Sequence, residues 1–167
     1  MVHFAFLVRD MTITEPATLV TDYILALAAV IFGVLVWRSH RFQYRSTRLW
    51  ISGFLTVSAA AAVGGTYHGF ALYFSEPAHR TLWHVTSFLI VVGTVLMGLA
   101  IFCGPLGRHG RNTPWIVSGG LVTAAGVAIQ QSGFAVHPHF NHNDLYHCVQ
   151  TAALYLLFRG TKPSYES

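Results

Sequence analysis

Four of the ten histidines fall within residues 137–147, at His137, His139, His142 and His147, beside Asn141, Asn143 and Asp144. This stretch runs directly into the apolar segment 148–158. Groups able to bind a metal or carry a proton therefore stand at the mouth of a helix suited to a membrane. Upstream, Asp22, His68 and His84 each interrupt an apolar segment. With Asp144 and His147 they are the five ionisable residues inside the predicted spans. Such residues are costly in hydrocarbon and face a bundle interior or a wet cavity.

Depth sharpens that reading. Asp22 lies about two turns into the first segment, His68 about a turn from the end of the second, and His84 about a turn into the third. Asp144 and His147 open the last. Four helices thus deliver acid or imidazole groups to one level. Three neutral imidazoles and a water form a common catalytic zinc shell, in which the bound water's pKa falls to about 7. The expected metal ligands are His68, His84 and His147, with Asp22 and Asp144 as catalytic base, fourth ligand or orienting carboxylate. Two of the histidines would equally serve as axial ligands to a haem or another tetrapyrrole. In a third reading the polar cluster only stitches helices together, in a non-catalytic small subunit of a larger membrane complex. His137, His139 and His142 are expected to cap the site or lie in a solvated loop. His79 reads as loop, and His3, His40 and His109 as surface. Tyr67 and Tyr146, each beside a candidate ligand, read as interfacial anchors.

Five segments must position these groups: 16–37, 49–73, 81–103, 114–131 and 143–158, each approaching the roughly 20 apolar residues that span a bilayer. Glu15-Pro16 opens the first and Pro114 the fourth, both suited to a first helical turn. The last is short and continues from the His-rich loop, with Asp144, Asn143 and His147 on one face. The expected fold is all-α, a single polytopic membrane bundle over the whole chain.

Composition agrees. The 167 residues are 53% hydrophobic and 10% charged, against about 25% charged in soluble domains. Lys and Arg exceed Asp and Glu by 10 to 6, but their placement speaks for membrane topology and against nucleic acid. Arg38, Arg41, Arg45, Arg48, Arg108, Arg111, Arg159 and Lys162 fall on one side, leaving Arg9 and Arg80 on the other. The positive-inside rule makes the eight-cation side cytoplasmic, with the N-terminus outside. Residues 1–14 lack a signal-peptide pattern. Cys103 and Cys148 fall at opposite faces, so no disulfide is expected between them. Ala61, Gly64, Gly65 and His68 share a face of the second segment, and Ser118, Gly119, Gly120 and Gly126 recur similarly in the fourth. Small residues at such spacing let membrane helices approach closely. There is no His-Glu-x-x-His, Gly-x-Ser-x-Gly, phosphate-binding glycine loop or Cys-x-x-Cys.

The order of a histidine late in an early helix, a polar group in the next, and Asn143-x-x-x-His147 with Asp144 in the last resembles the CREST superfamily of membrane hydrolases. That group includes alkaline ceramidases and adiponectin/progestin receptors. Its members hold zinc with an early histidine and a last-helix His-x-x-x-His, with a Ser and an Asp nearby. His68 matches the early histidine and His147 the second of the late pair. Asn143 stands at the first position of the late motif, Gly64 at the serine, and His84 in the helix that carries the aspartate. Five spans replace seven. The resemblance covers about 61–86 and 141–159. It implies zinc and hydrolysis of an amide or ester in a lipid-like substrate.

Overall fold

The computed structural model describes residues 12–39, 44–104, 112–137 and 140–161. The readings of His3, Arg9, His40, Arg41, Arg108, His109, Arg111, His139 and Lys162 lie outside the described residues. The rest is helical: α1 Pro16–Ser39, α2 Arg45–Gly69, a 3-10 turn Ala71–Tyr73, α3 Glu76–Cys103, α4 Thr113–Ser132 and α5 His142–Thr161. No strand occurs among the described residues. The one bridge joins His137 to Phe140 and pins the loop before α5. The five expected segments all form helices. The second stops at Gly69 rather than running to residue 73, because the chain turns at Phe70 into the 3-10 turn. The third begins five residues earlier than expected, at Glu76, with Pro77 in its first turn. α1, α2 and α3 are long and apolar enough to cross a membrane.

Sequence periodicity explains the packing. In α1 the buried positions Thr18, Asp22, Leu25, Ala29, Gly33 and Val36 recur every three or four residues and form one stripe. Val20, Ile24, Leu27 and Ile31 form an exposed apolar face opposite it. α1 is central, packed against α2 on one side and α5 on the other; α3 lies beyond α2, and α4 beyond α5. Neighbours in the chain run antiparallel. α1 and α5 run parallel, with Thr18 facing Asp144 and Phe32 stacked on Phe158 at 5.1 Å. Hence α1, α3 and α5 begin, and α2 and α4 end, at the same end of the bundle. The other end is closed by an aromatic cluster of Phe32, Trp50, Phe54 and Phe158. Both cysteines are free and exposed.

Glycines set the crossings. A Cβ on Gly53 would lie 2.7 Å from Met97 Cγ, and one on Gly93 2.9 Å from Val57 Cγ2, so α2 and α3 meet backbone to backbone there. Gly119 meets Leu157 and Gly160 meets Ile116 in the same way between α4 and α5. Gly120, grouped with these in the sequence reading, has nothing within 4 Å. It points away because it is one residue, about 100° of helix, from Gly119. At Gly65 an added Cβ would lie 3.0 Å from both Asp22 Cβ and Tyr23 Cδ1. Gly65→Leu is therefore expected to cost about 1–3 kcal/mol by overpacking, read as a lower melting temperature or folded yield. Gly120→Leu is the control and should melt like the parent. Equal melting of the two variants would refute a tight α1–α2 crossing.

Candidate functional site

The polar groups gather at the end where α1 and α5 begin. Glu15 caps α1: its carbonyl accepts the Leu19 N–H at 3.0 Å, leaving its carboxylate free to reach across the helix end. Thr18, one turn on, donates from Oγ1 to Asp144 Oδ1 at 2.8 Å; Glu15 Oε2 lies 3.1 Å from the same hydroxyl. Asp144 is fully buried and holds the start of α5 as well. Its Oδ2 accepts the Asn141 N–H, while Asn141 Oδ1 accepts the Asn143 N–H. This reciprocal arrangement is a capping box built from Asn and Asp. Asp144 is thus committed to structure on both oxygens.

One turn deeper, His147 stands between Thr21 and Asp22. The Thr21 hydroxyl lies 3.0 Å from the Ala17 carbonyl, 3.1 Å from that of Thr18 and 3.2 Å from His147 Nδ1. On its other side His147 Nε2 faces Asp22 Oδ1, also at 3.2 Å. Two bare lone pairs at that distance would repel, so one proton lies between them, on the imidazole or on the carboxyl. The two side chains are only 4% and 9% exposed. Asp22 Oδ2 is buried and has no hydrogen-bond partner among the described residues. The same is true of Thr86 Oγ1 on α3. Both residues abut Gly64: a Cβ there would lie 3.5 Å from Asp22 Oδ2 and 3.5 Å from Thr86 Cγ2.

His68 stands one helical turn above Gly64 on α2. Its Nδ1 lies 3.3 Å from Glu15 Oε1, a carboxylate 40% exposed at the mouth of the site. Both site imidazoles are thus held through Nδ1. Tyr67 turns outward instead and stacks on His79 at 4.1 Å, so His79 belongs to an aromatic contact rather than to a bare loop. His84 is not at the site. It is exposed on α3, because Thr86 holds the inward face and two residues are about 200° of helix. The expected shell of His68, His84 and His147 is therefore not assembled. Among the described residues no three His, Cys, Asp or Glu side chains converge as metal ligands. Gln150 continues the stripe inward, donating to the Thr123 carbonyl at 3.2 Å and tying α5 to α4. Sequence reasoning missed three participants. Glu15 and Thr18 were visible as a stripe with Asp22 at spacings of three and four on an apolar helix. Thr86 was visible only through its place on the α3 stripe of Gly93, Met97 and Ala100.

The chain belongs to a family of unknown function, DUF6962, whose model matches residues 17–112 and 86–165 and so covers all five helices. No curated protein and no solved structure matches the chain.

The geometry separates residues that the sequence grouped. Asp144→Ala removes both the cap and the Thr18 partner, and is expected to cost about 1–3 kcal/mol. His84→Ala is expected to stay within about 0.5 kcal/mol of the parent. Thermal melts of the two variants in detergent check this; a His84→Ala loss as large as that of Asp144→Ala would contradict the placement of His84.

Proposed function

We propose that this family member is a multi-pass membrane protein, N-terminus outside and C-terminus cytoplasmic, that hydrolyses an amide or ester of a lipid-like substrate at Asp22 and His147. The observation that carries the reading is the buried Asp22–His147 pair with one proton between its members. A hydrogen-bonded carboxyl–imidazole pair is a general acid–base couple, able to take a proton from a nucleophile and return it to a leaving group. Thr21 adjoins its imidazole, and Asp144 holds the start of its helix. Below it the stripe ends in Ala26, Ala29, Leu154 and Phe158, all buried. The polar column is blind, which favours a reaction site entered from one end over a conduit across the bilayer. Exposed Phe88, Val91, Val95 and Leu99 on α3 give the bundle a face for lipid. The expected five spans extend the three apolar helices by α4 and α5, whose glycine-lined packing joins them to the same bundle.

Zinc is implied by the resemblance to the membrane hydrolases, but the described side chains do not fit it as a shell. Asp22 and His147 offer two ligand atoms, while His68 is held by Glu15 and His84 faces away. The proposed chemistry therefore runs through the Asp22–His147 proton and uses no metal.

The test is hydrolysis of a panel of lipid amides and esters by the purified protein in nanodiscs. Asp22→Asn and His147→Ala are each expected to lower the rate by roughly 10²–10⁴-fold. Activity that survives both changes would refute the reading. Bound zinc lost with His147→Ala would replace it with the metal reading, and a Soret band with the tetrapyrrole reading. No activity, metal or pigment would leave the structural-subunit reading. Sidedness has its own check. A reporter after Lys162 should read cytoplasmic, and one in the 70–75 connection external; the reverse pair would invert the topology.

A further inference from the structure

Two buried polar atoms that lack hydrogen-bond partners among the described residues belong to side chains that adjoin one glycine. Asp22 Oδ2 belongs to a side chain 4% exposed, and Thr86 Oγ1 to the α3 residue whose Cγ2 adjoins the same glycine. Between them α2 presents Gly64, the one residue type with no side chain to fill the space. An atom at its Cβ position would lie 3.5 Å and 3.6 Å from the two Asp22 oxygens and 3.5 Å from Thr86 Cγ2, with nothing nearer. Buried polar groups are nearly always satisfied, and an unsatisfied one costs as much as a lost hydrogen bond. A carboxyl oxygen and a hydroxyl around a small cradle are the partners a single water requires.

We propose that one water molecule sits over Gly64, donating to Asp22 Oδ2 and bonded to Thr86 Oγ1, and that it is the nucleophile of the hydrolysis. The second half rests on the acid–base reading of Asp22 and His147; the first does not. In the reaction Asp22 Oδ2 takes a proton from the water, while the proton between Asp22 Oδ1 and His147 Nε2 rests on the imidazole. The water oxygen forms a bond to the substrate's carbonyl carbon. The bond from that carbon to the leaving nitrogen or oxygen breaks. The leaving group accepts the proton from the pair, so a carboxylic acid and an amine or alcohol depart and the site returns to its starting proton count. Thr86 is then a positioning residue, fixing the water from the side opposite the carboxylate.

The experiment is a pair of substitutions in the full-length protein, read by melting temperature and by lipid hydrolysis. Thr86→Val keeps the shape and removes the hydroxyl. If Thr86 Oγ1 holds a water, the variant should melt lower by about 5 °C, and Thr86→Ser should restore it. If Oγ1 holds nothing, removing a buried unsatisfied hydroxyl leaves melting unchanged or raises it, and the water site is overturned whatever the activity. Should Thr86→Val fail to accumulate, Gly64→Ala decides the same point. Its methyl packs at ordinary distances, so it lowers melting only by displacing a bound group. For the nucleophile, Gly64→Ala is expected to lose hydrolysis at least 100-fold with helix content intact. Full activity in Gly64→Ala beside a destabilised Thr86→Val would make the water structural and overturn its catalytic role. A parent without any hydrolase activity would refute the proposed function and the nucleophile together, leaving the water site to the sign of the Thr86→Val shift.

Discussion

The parallel pairing of α1 with α5 is the constraint on which the rest of the structure depends. A constant offset of 126 residues relates Thr18 to Asp144 and Thr21 to His147. Extending it down the helices brings Phe32 onto Phe158. Helices that meet in parallel need a connection that returns the chain to its starting end, and α2 to α4 supply it. Consecutive antiparallel packing then places every odd-numbered helix start at one end. A single register thereby sorts the interface into a polar half and an aromatic half. Slipping it by one residue would rotate His147 by about 100° and break the Asp22 contact.

The polar half is tolerable in an apolar bundle because its buried acids are hydrogen-bonded or paired with an imidazole. Asp22 and His147 share one proton. Asp144 spends its oxygens on Thr18 and on the Asn141 N–H. Glu15, a carboxylate 40% exposed, lies at the mouth beside His68. Glycines make the arrangement fit sterically: a Cβ on Gly65 would lie 3.0 Å from that of Asp22, while one on Gly64 would meet the same side chain at an ordinary 3.5 Å.

Much of this was legible in the sequence, and each failure has its own physical cause. Hydropathy located all five helices, and depth placed Asp22 and His147 among five groups expected at one level. Depth, however, is only one of two coordinates on a helix. His84 has the right depth and the wrong azimuth, and on α3 the stripe Thr86, Gly93, Met97 and Ala100 would have shown it. The same stripe test, applied to α1, would have found Glu15 and Thr18. Asp144 illustrates a different ambiguity. An acidic residue three positions after Asn141 reads as a capping box as readily as a catalytic group, and here the cap claims it. The end of α2 was overrun because Phe70, Leu72 and Tyr73 extend its hydropathy while the backbone has already turned.

The number of spans turns on α4 and α5. Neither is apolar enough alone to meet the criterion that α1, α2 and α3 satisfy. In α5 the deficit comes from Asp144, His147 and Gln150, and each of these is buried and bonded to a neighbouring helix. Polar groups satisfied inside a bundle do not meet lipid, so average hydropathy understates the membrane suitability of a helix that carries a site. α4 joins the bundle differently, through Gly119 and Gly126, which shape its seam against α5.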